Sequence, residues 1–383
     1  MPLHFSDDEY RERLAAAQRD MVAAGLDALL MFRQESMYYL SGYDTFGYVF
    51  FQCLVLTADG RQVLLTRAPD RRQAELTSRL ADIRVWMDAP DADPAMDLRA
   101  ILQELGLRGG KLGVEYEAYG LTARNGKRLE AALSGFASLT DASFLVTRLR
   151  LVKSQAEIAY VRRAAELADD ALEAALPLAV AGGEEAEILA AMQSAVIRGG
   201  GDDSANEFII GSGPQALLCR YYTGRRRLDP IDQLTLEWAG AYRHYHAAMM
   251  RTIPIGGAPD RQREMHRVAA DALLAVEDAL RPGNLAGQAF DAHARTIDAA
   301  GMGAARMNAC GYSLGAVYAP NWMDWPMLYH GNPVEIQSGM VFFCHMIIFD
   351  DAAGLAMTLG RTSLVGTRGA EPLSRGTLEL LVG

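Results

Sequence analysis

Cysteine is sparse. The 383 residues hold four, at positions 53, 219, 310 and 344, with no CxxC pair. That argues against a disulfide framework and against a cysteine-based zinc site. Three of the four have apolar or aromatic neighbours (FFQCLVL, ALLCRYY, VFFCHMI), the setting of buried free thiols in a reducing compartment. Long hydrophobic runs are missing as well. The longest, MVFFCHMIIF, falls far short of the ~20 residues a membrane helix needs. The start, MPLHFSDDEYRERL, has neither a basic leader region nor an apolar core, so a cytoplasmic protein without membrane contact is expected. Positive charge is in deficit: 37 Lys and Arg stand against 48 Asp and Glu, a net charge of −11. Nucleic acid is therefore not an expected partner. Low-complexity segments and Pro/Ser linkers are also absent.

What is present is alternation of helix and strand. DDEYRERLAAAQRDMVAAGL reads as a helix with acidic residues in its first turn and Gly25 at its close, and DALLMF as the buried strand that follows. YVFFQCLVLTADGRQVLLTR reads as a hairpin about Ala58-Asp59-Gly60. These elements make residues 1–150 one α/β domain. A long amphipathic helix opens the second, 151–383, with Ser154 as N-cap and Glu157 as its capping-box partner. Beyond it the order is helix, strand-rich 205–254, helix, strand-rich 308–367, which suggests an internal duplication.

LTLEWAGAYRHYHAAMMRT reads as two strands around a turn at GAYR. Glu237 is a carboxylate inside the first strand. His244 and His246, one alternation apart, would face the same side of the second. A histidine metal site, acid/base chemistry and plain packing all fit that pattern. A third histidine, His345, lies in an apolar strand, where a lone histidine is more often a core residue. APNWMDWPMLYHGNP gathers Trp322, Asp324 and Trp325 in one short stretch, which suits an aromatic wall for a cation.

Three segments carry a family resemblance. RLRLVKSQAEIAYVRRAAELA resembles the entry helix, AGAYRHYHAAMMRT the hairpin, and GMVFFCHMII the G-M-V-F strand of the creatinase/aminopeptidase P/prolidase enzymes. The resemblance spans nearly the whole chain. It implies an α/β (α+β) fold: a creatinase-like N-terminal α/β domain and a C-terminal pseudo-twofold "pita-bread" domain. It also implies a homodimer in which the N-terminal domain of one subunit lines the other's pocket, with Tyr43 and Phe46 as candidates.

The metallopeptidases of that family hold two metal ions through two Asp, one His and two Glu. Carried over, those positions fall on Glu237, Ala248 (248 − 237 = 11, the family spacing), Tyr312, His345 and about Gly360. Two divalent ions need more oxygen and nitrogen donors than this. No metal and no other cofactor is therefore expected, and the chain is similar to the metal-free branch, above all to its ectoine hydrolases. The substrate implied is ectoine, a small zwitterionic cyclic amidine. Alternatives are a creatinase-like amidinohydrolase acting on another C–N bond and a non-catalytic binding module.

The expected catalytic set is Glu237 as nucleophile or base, His345 as acid/base, Tyr312 as a hydrogen-bond donor to the intermediate, and Asp324 as a partner for the amidinium or for His345. Arg220 suits the substrate carboxylate, since its guanidinium fork matches one. His246, Trp322 and Trp325 complete the expected binding residues.

Overall fold

The computed structural model describes residues 3–220 and 224–383. The chain divides into two compact units, Met1–Arg150 and Leu151–Gly383. In the first, β1 (Ala28–Met31), β2 (Cys53–Thr57), β3 (Gln62–Arg67), β4 (Asp82–Trp86), β5 (Lys111–Val114) and β6 (Ser138–Asp141) form a mixed sheet of order β4-β3-β2-β1-β5-β6. The predicted hairpin is β2–β3, and Gly60 supplies the left-handed residue of its turn at φ 92°. Tyr43 belongs to this unit's own core, packed with Leu29, Met31 and Met37 and fully buried. Its hydroxyl lies 3.4 Å from Gln52 Oε1. That corrects its assignment to a partner's pocket, because a side chain enclosed in its own core has no surface to offer. Phe46 is 70% exposed.

The second unit opens on the helix Gln155–Ala175, and the expected capping box is present: Glu157 N–H donates to Ser154 Oγ at 3.2 Å, and Ser154 N–H to Glu157 Oε2 at 2.9 Å. Its sheet comprises β7 (Ile209–Ser212), β8 (Asp232–Tyr242), β9 (Tyr245–Ile255), β10 (Ala309–Ser313), β11 (Asp324–Tyr329), β12 (Val341–Asp350), β13 (Leu355–Val365) and β14 (Ala370–Pro372). The order is β11-β10-β12-β13-β9-β8-β7, with β14 added to β13. Each half contributes one long hairpin, β8–β9 or β12–β13, and the hairpins meet at β9 and β13. This is the expected pseudo-twofold arrangement.

Strand alternation gives the sheet two different faces. Phe342, Cys344, Met346 and Ile348 join an apolar cluster with the helices Asp260–Ala279 and Ala286–Ala299. Trp238 donates its indole N–H to Ala168 O, 2.8 Å away on the helix Gln155–Ala175. Their neighbours Phe343, His345 and Glu237 therefore point to the opposite face.

The turn of β8–β9 is shorter than GAYR. It consists of Arg243 and His244, both left-handed, at φ 51° and 65°. A two-residue hairpin requires positive φ at both positions, so β8 runs on through Gly240 and Ala241. His244 thus sits in the turn, where its ring stacks on Tyr318 at 4.2 Å, and it does not share a strand face with His246.

Arg251 stitches the two halves together. One of its guanidinium nitrogens, Nη1, donates to Met250 O at 2.8 Å and to Gly360 O at 2.6 Å, across the β9–β13 junction. Arg251→Met removes both bonds and should lower the free energy of unfolding by about 3 kcal/mol, the scale of hydrogen bonds to a charged group. A urea midpoint equal to that of the unaltered protein would show that the junction holds without them.

Candidate active site

Register places the site residues on a grid. Glu237 pairs with Met250, Met250 with Gly360, and Gly360 with His345. These four side-chain positions form one row across β8, β9, β13 and β12. A neighbouring row runs through Ala239–Ala248 on one side and Thr362–Phe343–Tyr312 on the other. On the other side of the Glu237 row, Thr235, Thr252 and Thr358 form a hydroxyl ladder with 3.0 Å contacts.

Tyr312 and Glu237 are four strands apart. At about 4.8 Å per strand a flat sheet would separate their backbones by roughly 19 Å. Yet Tyr312 Oη donates to Glu237 Oε1 at 3.3 Å. The sheet must curl toward this face, and the residues that meet across the curl come from two adjacent rows.

Burial pushes the Glu237 carboxyl up to about 7, against the Tyr312 hydrogen bond and the positive charge of Arg220, which pull it down. Burial drives His345 the other way, to about 3, helped by the charges of His293 and Arg220. The Tyr312 phenol is held well above its usual range by burial and by Glu237. The Tyr312 and His345 rings lie 5.6 Å apart, and Phe343 is 5.4 Å from each. His345 Nδ1 is buried and has no hydrogen-bond partner among the described residues.

The remaining expected residues divide. Trp322 joins the site: it is buried, and its indole N–H donates to Tyr312 Oη at 2.8 Å. Trp325 packs instead against the apolar cluster of the two C-terminal helices, because β11 alternation turns it away. Arg220 is exposed, and its charge acts on Glu237, Tyr312 and His345 alike. Asp324 lies beside a buried lysine. The space a Cβ would take at Gly315 is shared by Asp324 Oδ2 at 3.6 Å and Lys153 Nζ at 3.7 Å. A resident cation thus competes for the amidinium role expected of Asp324.

His246 needs correction. Its Nε2 accepts from Ala205 N–H at 2.9 Å and its Nδ1 lies 2.8 Å from His244 O. Both ring nitrogens are spent on backbone, and burial holds the ring neutral, with its pKa lowered to about 4. It is a fastener for the 202–208 segment and has no nitrogen left for substrate.

Four residues escaped the sequence reading. Met250 and Phe343 occupy the site face, but apolar residues in strands signal core equally well. Asn206 accepts the backbone N–H of Trp322 at 3.1 Å. His293, on the helix Ala286–Ala299, is fully buried with neither ring nitrogen partnered among the described residues.

The donor set does not fit a pair of metal ions. Among the described residues no group of three or more His, Cys, Asp or Glu side chains converges. Ala248 has no ligand atom, and a Cβ at Gly360 would stand 2.8 Å from the Phe343 ring. A carboxylate there would collide with an aromatic side chain.

Residues 159–367 match the model of metallopeptidase family M24, and residues 13–152 match the creatinase/prolidase N-terminal domain. The chain belongs to family M24. Among its relatives is an ectoine hydrolase of Halomonas elongata, 27% identical over 99% of this chain and 98% of that one. An uncharacterised hydrolase/peptidase of Sinorhizobium fredii is 29% identical over 99% of both chains. The dipeptidase PepE of Mycobacterium ulcerans superposes with a TM-score of 0.85 at 25% identity, covering 99% of each chain. A Thermococcus sibiricus prolidase shares the fold at 19% identity, with a TM-score of 0.87 over 98% of this chain and 99% of that one. No helix among the described residues is long and apolar enough to cross a membrane.

A carboxyl whose pKa is raised on folding stabilises the protein below its unfolded value, near 4.5, and that stability is lost as pH rises through about 7. Glu237→Gln should therefore leave stability unchanged near pH 4 and raise it by about 2–3 kcal/mol at pH 8. Thermal unfolding at both pH values checks this. A glutamine variant less stable than wild type at pH 8 would show Glu237 to be ion-paired in the native state.

Proposed function

We propose that the protein is a metal-independent hydrolase that opens the cyclic amidine of ectoine to N-acetyl-2,4-diaminobutyrate. The observation that carries this reading is the altered donor set. One carboxylate and one histidine remain at the ends of the row, Gly360 between them is covered by Phe343, and Ala248 in the neighbouring row has no ligand atom. The full-length likeness to an ectoine hydrolase supports it. The peptidase relatives name the competing activity.

Ectoine carries a protonated amidine and a carboxylate. The amidinium beside Glu237 lowers the carboxyl pKa from about 7 and ionises it on binding. Arg220 takes the substrate carboxylate. Trp322 and Phe343, both buried beside Tyr312, exclude water from that side of it. Phe46, exposed on the N-terminal unit, would line a partner's pocket in a homodimer.

Two routes share the same residues. As nucleophile, ionised Glu237 forms a C–O bond to the amidine carbon, the ring C–N bond breaks to leave an imidoyl–enzyme, and water then adds to the imidoyl carbon, releasing the Glu237 carboxylate and the amide. As base, Glu237 takes a proton from the water that attacks that carbon. In both, one water is consumed and the leaving nitrogen gains a proton. In the nucleophilic route neutral His345 takes that proton from the amidine's other N–H before the ring C–N bond breaks; in the general-base route it takes it from the hydroxyl the attacking water leaves on the carbon, and Glu237 returns the proton it took to the departing amine. Tyr312 donates a hydrogen bond to the charge that develops.

Purified protein should produce N-acetyl-diaminobutyrate from ectoine in excess EDTA, and Glu237→Gln should lose at least about a thousandfold in kcat. Because ionised Glu237 is the active form, kcat/KM should rise with pH through about 7. No product in EDTA would sink the proposal, urea from creatine would move the reading to an amidinohydrolase, and restoration of Xaa-Pro cleavage by manganese would return it to the peptidases.

A further inference from the structure

Trp322 is enclosed on every side, with 1% of its surface exposed, and its backbone N–H is fixed on Asn206 Oδ1 at 3.1 Å. Its indole N–H points at Tyr312 Oη, 2.8 Å away. An indole nitrogen is a donor only. The Tyr312 oxygen therefore accepts that proton, and its own O–H is left to donate. Its acceptor is Glu237 Oε1 at 3.3 Å, a long contact of the kind that tightens when a substrate closes the site. Proton direction along the chain Trp322, Tyr312, Glu237 is thus set from the tryptophan end.

From this geometry we infer that Trp322 is a positioning residue that acts through Tyr312, holding Oε1 of Glu237 and leaving Oε2 as the atom that meets the substrate. The inference rests on the reading of Glu237 as the reacting carboxylate. It adds a specific reason for a tryptophan at 322. Phenylalanine would fill much of the same volume and leave the phenol free to turn its proton elsewhere. The phenol would then compete for the oxygen that must react. The Phe343 ring, 5.4 Å from that of Tyr312, limits the phenol's position but supplies no hydrogen bond to orient its proton.

A double-mutant cycle separates this role from simple packing. The variants are Trp322→Phe, Tyr312→Phe and the pair together, each measured for ectoine hydrolysis and for urea unfolding at pH 8. Trp322→Phe alone should lower kcat about tenfold with KM nearly unchanged, and Tyr312→Phe about a hundredfold. In the Tyr312→Phe background the tryptophan change should be nearly silent, within about twofold. The unfolding equilibrium constants should show a coupling of about tenfold between the two positions. A tryptophan effect of equal size in both backgrounds would mean that Trp322 acts by packing, and would overturn the inference. If the unaltered protein does not hydrolyse ectoine, the unfolding cycle still decides: coupling there keeps the relay and retires the ectoine reading, and additivity retires both.

Discussion

The site depends on one seam. β9 and β13 belong to different halves of the pseudo-twofold unit, and few register pairs join them: Leu359 to Arg251 and Gly360 to Met250. Arg251 reinforces the seam from the helix side with bonds to two carbonyls, one on each strand. Thr252 reinforces it from the pocket side through Thr358 and Thr235. The adjacent Arg-Thr pair thus presents one side chain to each face of the sheet at the point where the halves meet. Without that registration Glu237, from the first half, would have no fixed relation to Tyr312 and His345, from the second. Burial lowers the Arg251 guanidinium to about 10, still above neutrality, so the stitch remains cationic in ordinary solution.

On the proposed metal-independent reading, the same registration would let ligand positions change while the geometry is kept. Cross-strand rows are set by backbone pairing, and a row survives when its side chains change. At Ala248 the donor is simply gone. At Gly360 the missing side chain admits the Phe343 ring, and at Tyr312 a phenol replaces an imidazole and spans the pocket to Glu237. The result is an apolar enclosure with a carboxyl at one end and an imidazole at the other. Burial then acts in opposite senses on the two groups, because it penalises whichever form is charged. Burial keeps His345 neutral and raises the Glu237 carboxyl to about 7.

Much of this was legible in the residues. The Ser154–Glu157 capping box is a local signal, and so are the hairpins and the alternation of β12, because each depends on neighbours in the chain. Glu237, Tyr312 and His345 were found through motif spacing, which reports position on a strand and hence position on the row. The misread residues are those whose roles depend on distant partners. His246 is defined by Ala205 N–H, a contact 41 residues away in sequence. Tyr43 is defined by the core closing over it. Trp322 and Trp325 look alike in WMDWPM, but only Trp325 lies on a strand, β11, and it packs on the apolar cluster. His244 was placed in a strand because Arg and His are unusual in a left-handed turn, where Gly or Asn is the usual signal.

The raised Glu237 carboxyl also bears on selectivity. A neutral ligand would leave the Glu237 carboxyl near 7, only partly ionised at neutral pH. A cation beside Glu237 shifts that equilibrium by its own field, most strongly where Trp322, Phe343 and Tyr312 keep water out. The substrate would thus create the reactive form of the residue that attacks it. Arg220 contributes in the same direction, since its charge also pulls the Glu237 carboxyl down. On the proposed reading, its charge and that of the amidinium would both favour ionised Glu237 and both oppose protonation of His345, which would take its proton only as negative charge develops on the attacked carbon's substituents. On that reading the order, carboxylate first and imidazolium second, would follow from burial and from the charges of Arg220 and the amidinium.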